Sequence, residues 1–279
     1  MELWVGTSGY SYPDWVGEFY PKGTPSGKML AYYARHFPLV ELNFTFYRPP
    51  TAPQLTHLAE QTPPGFQFIV KLHQSFSHDL QLTGASHFRE AVEPLVQHHR
   101  LLGLLLQYPQ RFHYDAVNLD RLQAVADAFA ELPLAVEFRH ASWHRNDVKK
   151  WFTQRHLDLV SVDVPPIPSL FPSGVMLTSR TIYVRFHSRR ASAWYGGEKE
   201  RYDYLYSDNE LTTWIDELMA RQGRAERTLL LFNNCYLGQA VRNAQRVQEL
   251  VRERGYPFKL IQPPPSPVSH QGMLFDELN

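Results

Sequence analysis

The chain has 279 residues, the size of one large domain or two small ones, and 43% of them are hydrophobic, enough to bury a sizeable core. Lysine plus arginine balances aspartate plus glutamate at 28 each, which excludes the global basic footprint of a non-specific DNA binder and leaves nucleic-acid contact to a local patch. A single cysteine, Cys235, excludes an intramolecular disulfide and any multi-cysteine metal site; with no signal-peptide pattern and no apolar run near the ~18 residues of a membrane span, the expectation is a cytoplasmic protein with no membrane partner.

Short apolar or alternating runs bounded by turn residues predict strands at Leu3 to Gly6, Leu39 to Leu42, Phe66 to Lys71, Leu101 to Leu106, Leu134 to Phe138, Leu159 to Asp163, Thr181 to Phe186 and Thr228 to Phe232. Between most of them the spacing is helical: Lys28 to Phe37, Ala52 to Gln61, His87 to His99, Leu119 to Glu131, Asp147 to His156, Asn209 to Gln222 and Gly238 to Arg254. Parallel strands need crossover connections, and helices make them compactly. The predicted fold is therefore α/β, a single (β/α)8 TIM barrel over residues 1–255. Its helix after the sixth strand is expected to be irregular or missing, because Val164 to Arg180 holds Pro165, Pro166, Pro168 and Pro172. Residues 256–279 form a final extended segment and a proline-rich tail.

Side chains alternate faces along a strand, so parity sorts these segments further. Val40 and Leu42 oppose Glu41 and Asn43. Phe68 and Val70 oppose Ile69 and Lys71, Val136 and Phe138 oppose Glu137 and Arg139, and Val184 and Phe186 oppose Tyr183, Arg185 and His187. Asn233 follows the eighth strand, Gln107 closes the fourth and Asp163 the sixth. One face is apolar and suits helices; the other turns polar only toward the C-terminal strand ends, where barrel enzymes keep their sites.

The run Gly6-Thr-Ser-Gly-Tyr-Ser-Tyr-Pro-Asp-Trp15 with Phe19-Tyr-Pro21, then Glu41-Leu-Asn-Phe-Thr-Phe-Tyr47, Phe68-Ile-Val-Lys71, Ala135-Val-Glu-Phe-Arg-His140 with Ser142 and Trp143, Tyr183-Val-Arg-Phe-His187, and Phe232-Asn-Asn234 with Gly238-Gln-Ala240, Asn243 and Ala244 resembles the YecE-like family, domain of unknown function seventy-two. The resemblance spans roughly residues 1 to 255 and implies a TIM barrel. It brings no reaction with it, so function has to come from the site.

Three features of the rim carry chemistry. Glu41, Glu137 and Asp163 with His187 form an oxygen-rich catalytic set, and the three carboxylates suit a divalent Mg, Mn or Zn ion, although no compact ligand spacing is present. Lys71, Arg139 and Arg185, flanked by Asn43, Gln107 and Asn233, suit a phosphate or carboxylate substrate. After the seventh strand, bases alternate with rings from Arg189 to Tyr206, including Trp194 and Tyr195, as stacking platforms for nucleotides do; the same run would serve as a lid packed on its own aromatics. The reading is an enzyme acting on a phosphorylated small molecule or nucleic acid: a metal-dependent phosphodiester hydrolase linked to DNA maintenance, or alternatively a sugar-phosphate isomerase or lyase, or a non-catalytic nucleic-acid-binding or adaptor protein. Walker-A and GxGxxG motifs are absent, which speaks against ATP and NAD.

Beyond the proline run, Gln271-Gly-Met-Leu-Phe275 resembles the peptide by which bacterial replication and repair proteins dock on the sliding clamp, with glycine where leucine is usual. Gln271, Leu274 and Phe275 are the candidate partner-binding residues.

Overall fold

The structure is a computed structural model and describes residues 1–265. Ten parallel-paired strands alternate with helices: β1 (Glu2–Thr7), β2 (Leu39–Leu42), β3 (Gln67–Lys71), β4 (Leu101–Gln107), β5 (Leu134–Glu137), β6 (Asp158–Leu159), β7 (Ser161–Asp163), β8 (Thr181–Phe186), β9 (Arg227–Phe232) and β10 (Lys259–Leu260). The longer helices are α1 (Ser26–Tyr33), α3 (Ala52–Glu60), α5 (Ala85–Gln97), α6 (Ala116–Ala128), α7 (Asn146–Gln154), α9 (Asp208–Met219) and α10 (Gln239–Glu253). Short helical turns α2 (Phe44–Tyr47), α4 (Gln74–Ser77) and α8 (Glu198–Tyr202) follow β2, β3 and β8. No helix separates β7 from β8. None of the described helices is long and apolar enough to cross a membrane.

The α/β alternation is present, but the expected single closed barrel is not. The strands form two five-stranded sheets, ordered β10-β1-β9-β8-β7 and β2-β3-β4-β5-β6. Side-chain hydroxyls interrupt the ladder at both boundaries. Between β1 and β2, Thr7 N donates to the Tyr33 hydroxyl at 2.9 Å and that hydroxyl donates to Leu39 O at 3.1 Å, so a side chain stands where a direct backbone bond would run. Only an isolated bridge, Ser8 to Glu41, follows it. Gly6 is required at this boundary because a Cβ there would lie 2.6 Å from Leu39 O.

The other boundary falls within the predicted sixth strand, which divides at Val160. Its first part, β6, pairs with β5, and its second part, β7, pairs with β8. Here Thr178 and Ser161 supply the hydroxyls. Leu159 N donates to Thr178 Oγ1 at 2.9 Å, and Met176 N donates to Ser161 Oγ at 2.8 Å, so the proline-rich segment takes bonds that a neighbouring strand would otherwise make. Runs of period two cannot reveal such insertions, because the polar partner comes from elsewhere in the chain.

Both faces of these strands are covered, since Glu41, Ile69, Glu137, Tyr183 and Arg185 are buried as well as the apolar set. Val40, Leu42, Phe68, Val70, Leu104, Leu106, Val136, Phe138, Val184, Phe186, Leu230 and Phe232 are all buried. An extra residue in β4, where Phe68 pairs with Leu101 but Ile69 with Gly103, shifts the register so that Lys71 stands opposite Leu105 and Gln107 opposite Glu137. Amphipathic helices cover the outer faces, α3 starting at a reciprocal Thr51–Gln54 cap and α9 at Ser207–Glu210. The loop after β5 is fixed by a stack in which Phe138 and Trp143 lie 4.2 Å apart at 3°, Trp143 stacks in turn on Phe112, and Trp143 Nε1 donates to Phe112 O.

Candidate functional site

Charged side chains of the two sheets meet where their inner faces converge. Arg185, in β8, is 1% exposed and forks onto Glu41 of β2, with Nε 2.9 Å from Oε2 and Nη2 2.6 Å from Oε1. Its Nη1 lies 2.5 Å from Glu137 Oε2, at the end of β5, and Nη2 reaches Ser8 Oγ at 3.3 Å. The Tyr183 hydroxyl, two residues earlier on β8, also donates to Glu41 Oε2. One guanidinium thus joins three strands from two sheets, the bidentate geometry for which arginine is suited.

Glu137 Oε1 is close to two further groups, 2.7 Å from Arg139 Nε and 3.3 Å from His187 Nε2, without hydrogen-bond alignment to either. Burial pushes the Glu137 carboxyl up, but Arg139 and Arg185 pull it further down, and it is held well below the usual carboxylate range. His187 is pushed down to about 3, first by burial and then by Arg139, so it is neutral near pH 7. Asn233 Nδ2 lies 3.0 Å from His187 Nδ1, which as an acceptor leaves the ring proton on Nε2, facing Glu137.

Above this cluster is a cavity of about 240 Å³ lined by Tyr12, Asn43, Tyr47, Lys71, Gln107, Arg139, Arg185, Tyr202, Asn233 and Cys235. Lys71, the last residue of β3, donates to Gln107 Oε1 at 3.0 Å and lies 4.2 Å over the Phe46 ring. Among the described residues no carboxylate is within ion-pair distance of it. Burial, then Arg185, pushes its ammonium down to about 7. Asn43 Oδ1 is buried without a hydrogen-bond partner. Most of the predicted binding residues therefore share one wall: Asn43, Lys71, Gln107, Arg139, Arg185 and Asn233.

Asp163 does not join them. Arg189 holds it through both Nε and Nη2, at 2.9 and 2.6 Å to separate oxygens, and Tyr206 Oη and Trp214 Nε1 donate to the same carboxylate. These partners come from the loop after β8 and from α9, so Asp163 ties the outer layer to β7. With Asp163 elsewhere and Arg185 between Glu41 and Glu137, the three carboxylates do not form the expected metal set. Among the described residues no three His, Cys, Asp or Glu side chains gather to hold a metal ion.

The segment after β8 is mostly packed on itself. Trp194 is buried between Arg139 and Arg201, whose guanidinium carbons lie 5.7 and 5.5 Å from its ring, and Arg201 Nε donates to Trp194 O. Tyr195 is 62% exposed, its hydroxyl near Gln110 and Ser169. Arg190 pairs with Asp203, and the Tyr204 hydroxyl donates to Glu210. Trp194 therefore backs Arg139 instead of offering a stacking face. Gln271, Leu274 and Phe275 lie outside the described residues.

Tyr12, Tyr183 and Ser8 also belong to the site and were not singled out from the sequence. Tyr183 was within reach of the parity argument, sharing a face with Arg185; Ser8 and Tyr12 lie in the opening run, whose fold over the strand ends carries no periodic signal.

A parallel α/β chain with a cation-rich cavity at the C-terminal ends of its strands defines a broad class. Within it, this chain belongs to the family described as "Protein of unknown function DUF72", which matches residues 4–268. It is 28% identical to the UPF0759 protein YunF of Bacillus subtilis (strain 168) over 273 residues, covering 89% of this chain and 94% of that protein. Among solved structures it is similar to a DUF72 family protein (TM1631) from Thermotoga maritima MSB8, with 36% identity, a TM-score of 0.83, and coverage of 90% of this chain and all of that one. A second, EF0366 from Enterococcus faecalis V583, shares 25% identity with a TM-score of 0.80, covering 90% of this chain and 95% of that one.

Proposed function

We propose that the chain is an enzyme acting on a small phosphate-bearing metabolite held in the cavity at the strand ends, a sugar-phosphate isomerase or lyase rather than a nuclease. One observation carries the reading: Lys71, Arg139 and Arg185 line the cavity, while among the described residues Glu41 and Glu137 are the carboxylates that pair with this cluster and His187 is neutral. With Lys71 protonated the cluster carries one net positive charge; with Lys71 neutral, Arg139, which meets Glu137 through Nε, still lines the half-enclosed cavity with its other N–H groups, so the wall favours an anion. The volume, about 240 Å³, lies below the ~300 to 1,000 Å³ of pockets for drug-sized ligands, which suits a metabolite better than an oligonucleotide. A phosphodiester hydrolase using a divalent ion has less support, because both carboxylates at the site are engaged by arginine. Calorimetric titration with small phosphate esters, beside abasic, nicked and single-stranded DNA, tests this. Binding of an ester that weakens at least tenfold in Arg139→Gln is expected; binding of DNA in preference to every ester would overturn it.

We also propose, on the sequence Gln271 to Phe275 alone, that the tail docks on a bacterial sliding clamp. Two apolar anchors, Leu274 and Phe275, contribute ~3 to 5 kcal/mol before ordering costs and support roughly micromolar binding. A peptide of residues 267–279 is expected to bind a purified clamp and to lose binding when both anchors become alanine; no binding at high micromolar peptide would remove this proposal.

A further inference from the structure

We infer that Lys71 is a nucleophilic amine that forms an imine with a carbonyl group of the bound anion. This rests on the reading of the cavity as an anion site and names what happens there. Lys71 closes β3 and lines the cavity, and among the described residues the only hydrogen bond of its Nζ is to the neutral oxygen of Gln107. The other two cations of the cluster meet carboxylates: Arg185 meets Glu41 and Glu137, and Arg139 meets Glu137. Lys71 instead sits on the apolar face of Phe46, whose other ring neighbours are Tyr47 and His78. Burial and two fixed guanidinium charges favour the free amine against the pull of Glu41, Glu137 and the Phe46 ring on the ammonium, which is consistent with the lowered ammonium affinity of this lysine. Arg139 remains at the same wall to hold a phosphate or carboxylate on the substrate.

The step balances without an added reagent. The Nζ lone pair forms a C–N bond to the carbonyl carbon while the C=O pair moves to oxygen. A proton passes from nitrogen to that oxygen to give a carbinolamine. The hydroxyl then leaves as water, taking one further proton from the medium, and the nitrogen pair closes the C=N bond of a protonated imine. That cation draws electron density from the neighbouring carbon, which suits proton removal or carbon–carbon cleavage next to the former carbonyl. The substrate class is a small carbonyl compound bearing a phosphate or carboxylate. The cluster does not by itself choose between these anions.

The full chain would be incubated with pyruvate, dihydroxyacetone phosphate, glyceraldehyde 3-phosphate and ribose 5-phosphate, reduced with borohydride, and digested for mass spectrometry. One reduced adduct on the peptide containing Lys71 is expected, at least tenfold above any other lysine and absent from Lys71→Arg, which keeps the charge and whose fold is checked by circular dichroism. Calorimetry of the same compounds separates the two layers of the argument. Binding without an adduct at Lys71, or adducts spread equally over surface lysines in both proteins, overturns the imine and leaves the anion site standing. Absence of binding by every compound and by inorganic phosphate overturns the anion site, and the imine with it.

Discussion

Arg185 forks onto Glu41 across the boundary between the two sheets, Nε at 2.9 Å and Nη2 at 2.6 Å from separate carboxylate oxygens. The same guanidinium also binds Glu137, so its loss removes the arginine partner of Glu41 and one of the two arginines at Glu137. Removing one member of a buried ion set costs ~3 to 5 kcal/mol because an uncompensated charge remains. Arg185→Leu is therefore expected to lower stability by about that amount in urea unfolding. Arg185→Lys keeps the charge but not the fork and should fall between it and wild type. Equal stability of all three proteins would mean that the sheets are held together elsewhere.

Asp163 offers a contrast, since its carboxylate is occupied by Arg189, Tyr206 and Trp214 and is turned from the cavity. Asp163→Ala strands those donors and should cost ~2 to 4 kcal/mol in denaturant unfolding. Affinity for the cavity's anion should stay within about twofold. A tenfold loss of affinity in a folded Asp163→Ala protein would return Asp163 to the site.

The sequence made the candidate wall legible because parity is a local property. Glu41, Lys71, Glu137, Arg139 and Arg185 alternate with buried apolar neighbours. Pairing staggers them, with Glu41 beside Ile69, Lys71 beside Leu105 and Glu137 beside Gln107, and their long side chains span the offset to meet in one cluster and its cavity. Two features escaped this logic. Asp163 ends a strand as the others do, but its orientation follows the division at Val160, which depends on Thr178 and Ser161 hydrogen bonds to a segment without periodicity. The break between β1 and β2 depends likewise on the Tyr33 hydroxyl, a helix side chain that no strand pattern reports. Count and alternation suggested a barrel; inserted hydroxyls decided that the ladder runs as two sheets.

At the opposite strand ends Asp158 is half-buried and accepts a hydrogen bond from Ser179. Burial pushes its carboxyl up from 3.8 to about 6. Between these values the folded state binds more protons than the unfolded chain, so this group's contribution to stability falls as pH rises from about 4 to about 6. Asp158→Asn keeps an acceptor for Ser179 and removes the ionisation. It should be more stable than wild type by ~2 kcal/mol at pH 7.5, with the difference fading below pH 4. A difference in melting temperature that does not change with pH would contradict the assignment.

Lys71 gives the corresponding prediction for a base. Burial and the nearby Arg185 and Arg139 push its ammonium from 10.5 down to about 7, with Glu41 and Glu137 opposing them. Across that window the unfolded chain binds the extra proton, so the lysine's contribution rises with pH between about 7 and about 10.5, and at neutral pH the folded protein carries most of the penalty. Lys71→Met removes the charge and keeps a flexible apolar stem against Phe46. After discounting for the solvent at the cavity mouth, the variant should exceed wild-type stability by ~2 kcal/mol at pH 7, narrowing toward zero near pH 10. The comparison is made between two proteins at each pH, so titration of the shared surface lysines and tyrosines cancels. The same variant should form no borohydride-trapped adduct, since the amine is gone. Greater stability together with lost chemistry is what a group kept for function at a cost to the fold produces. A Lys71→Met protein less stable than wild type at pH 7 would show instead that the lysine is held as a satisfied structural cation through Gln107 and Phe46, and would count against its acting as a free amine.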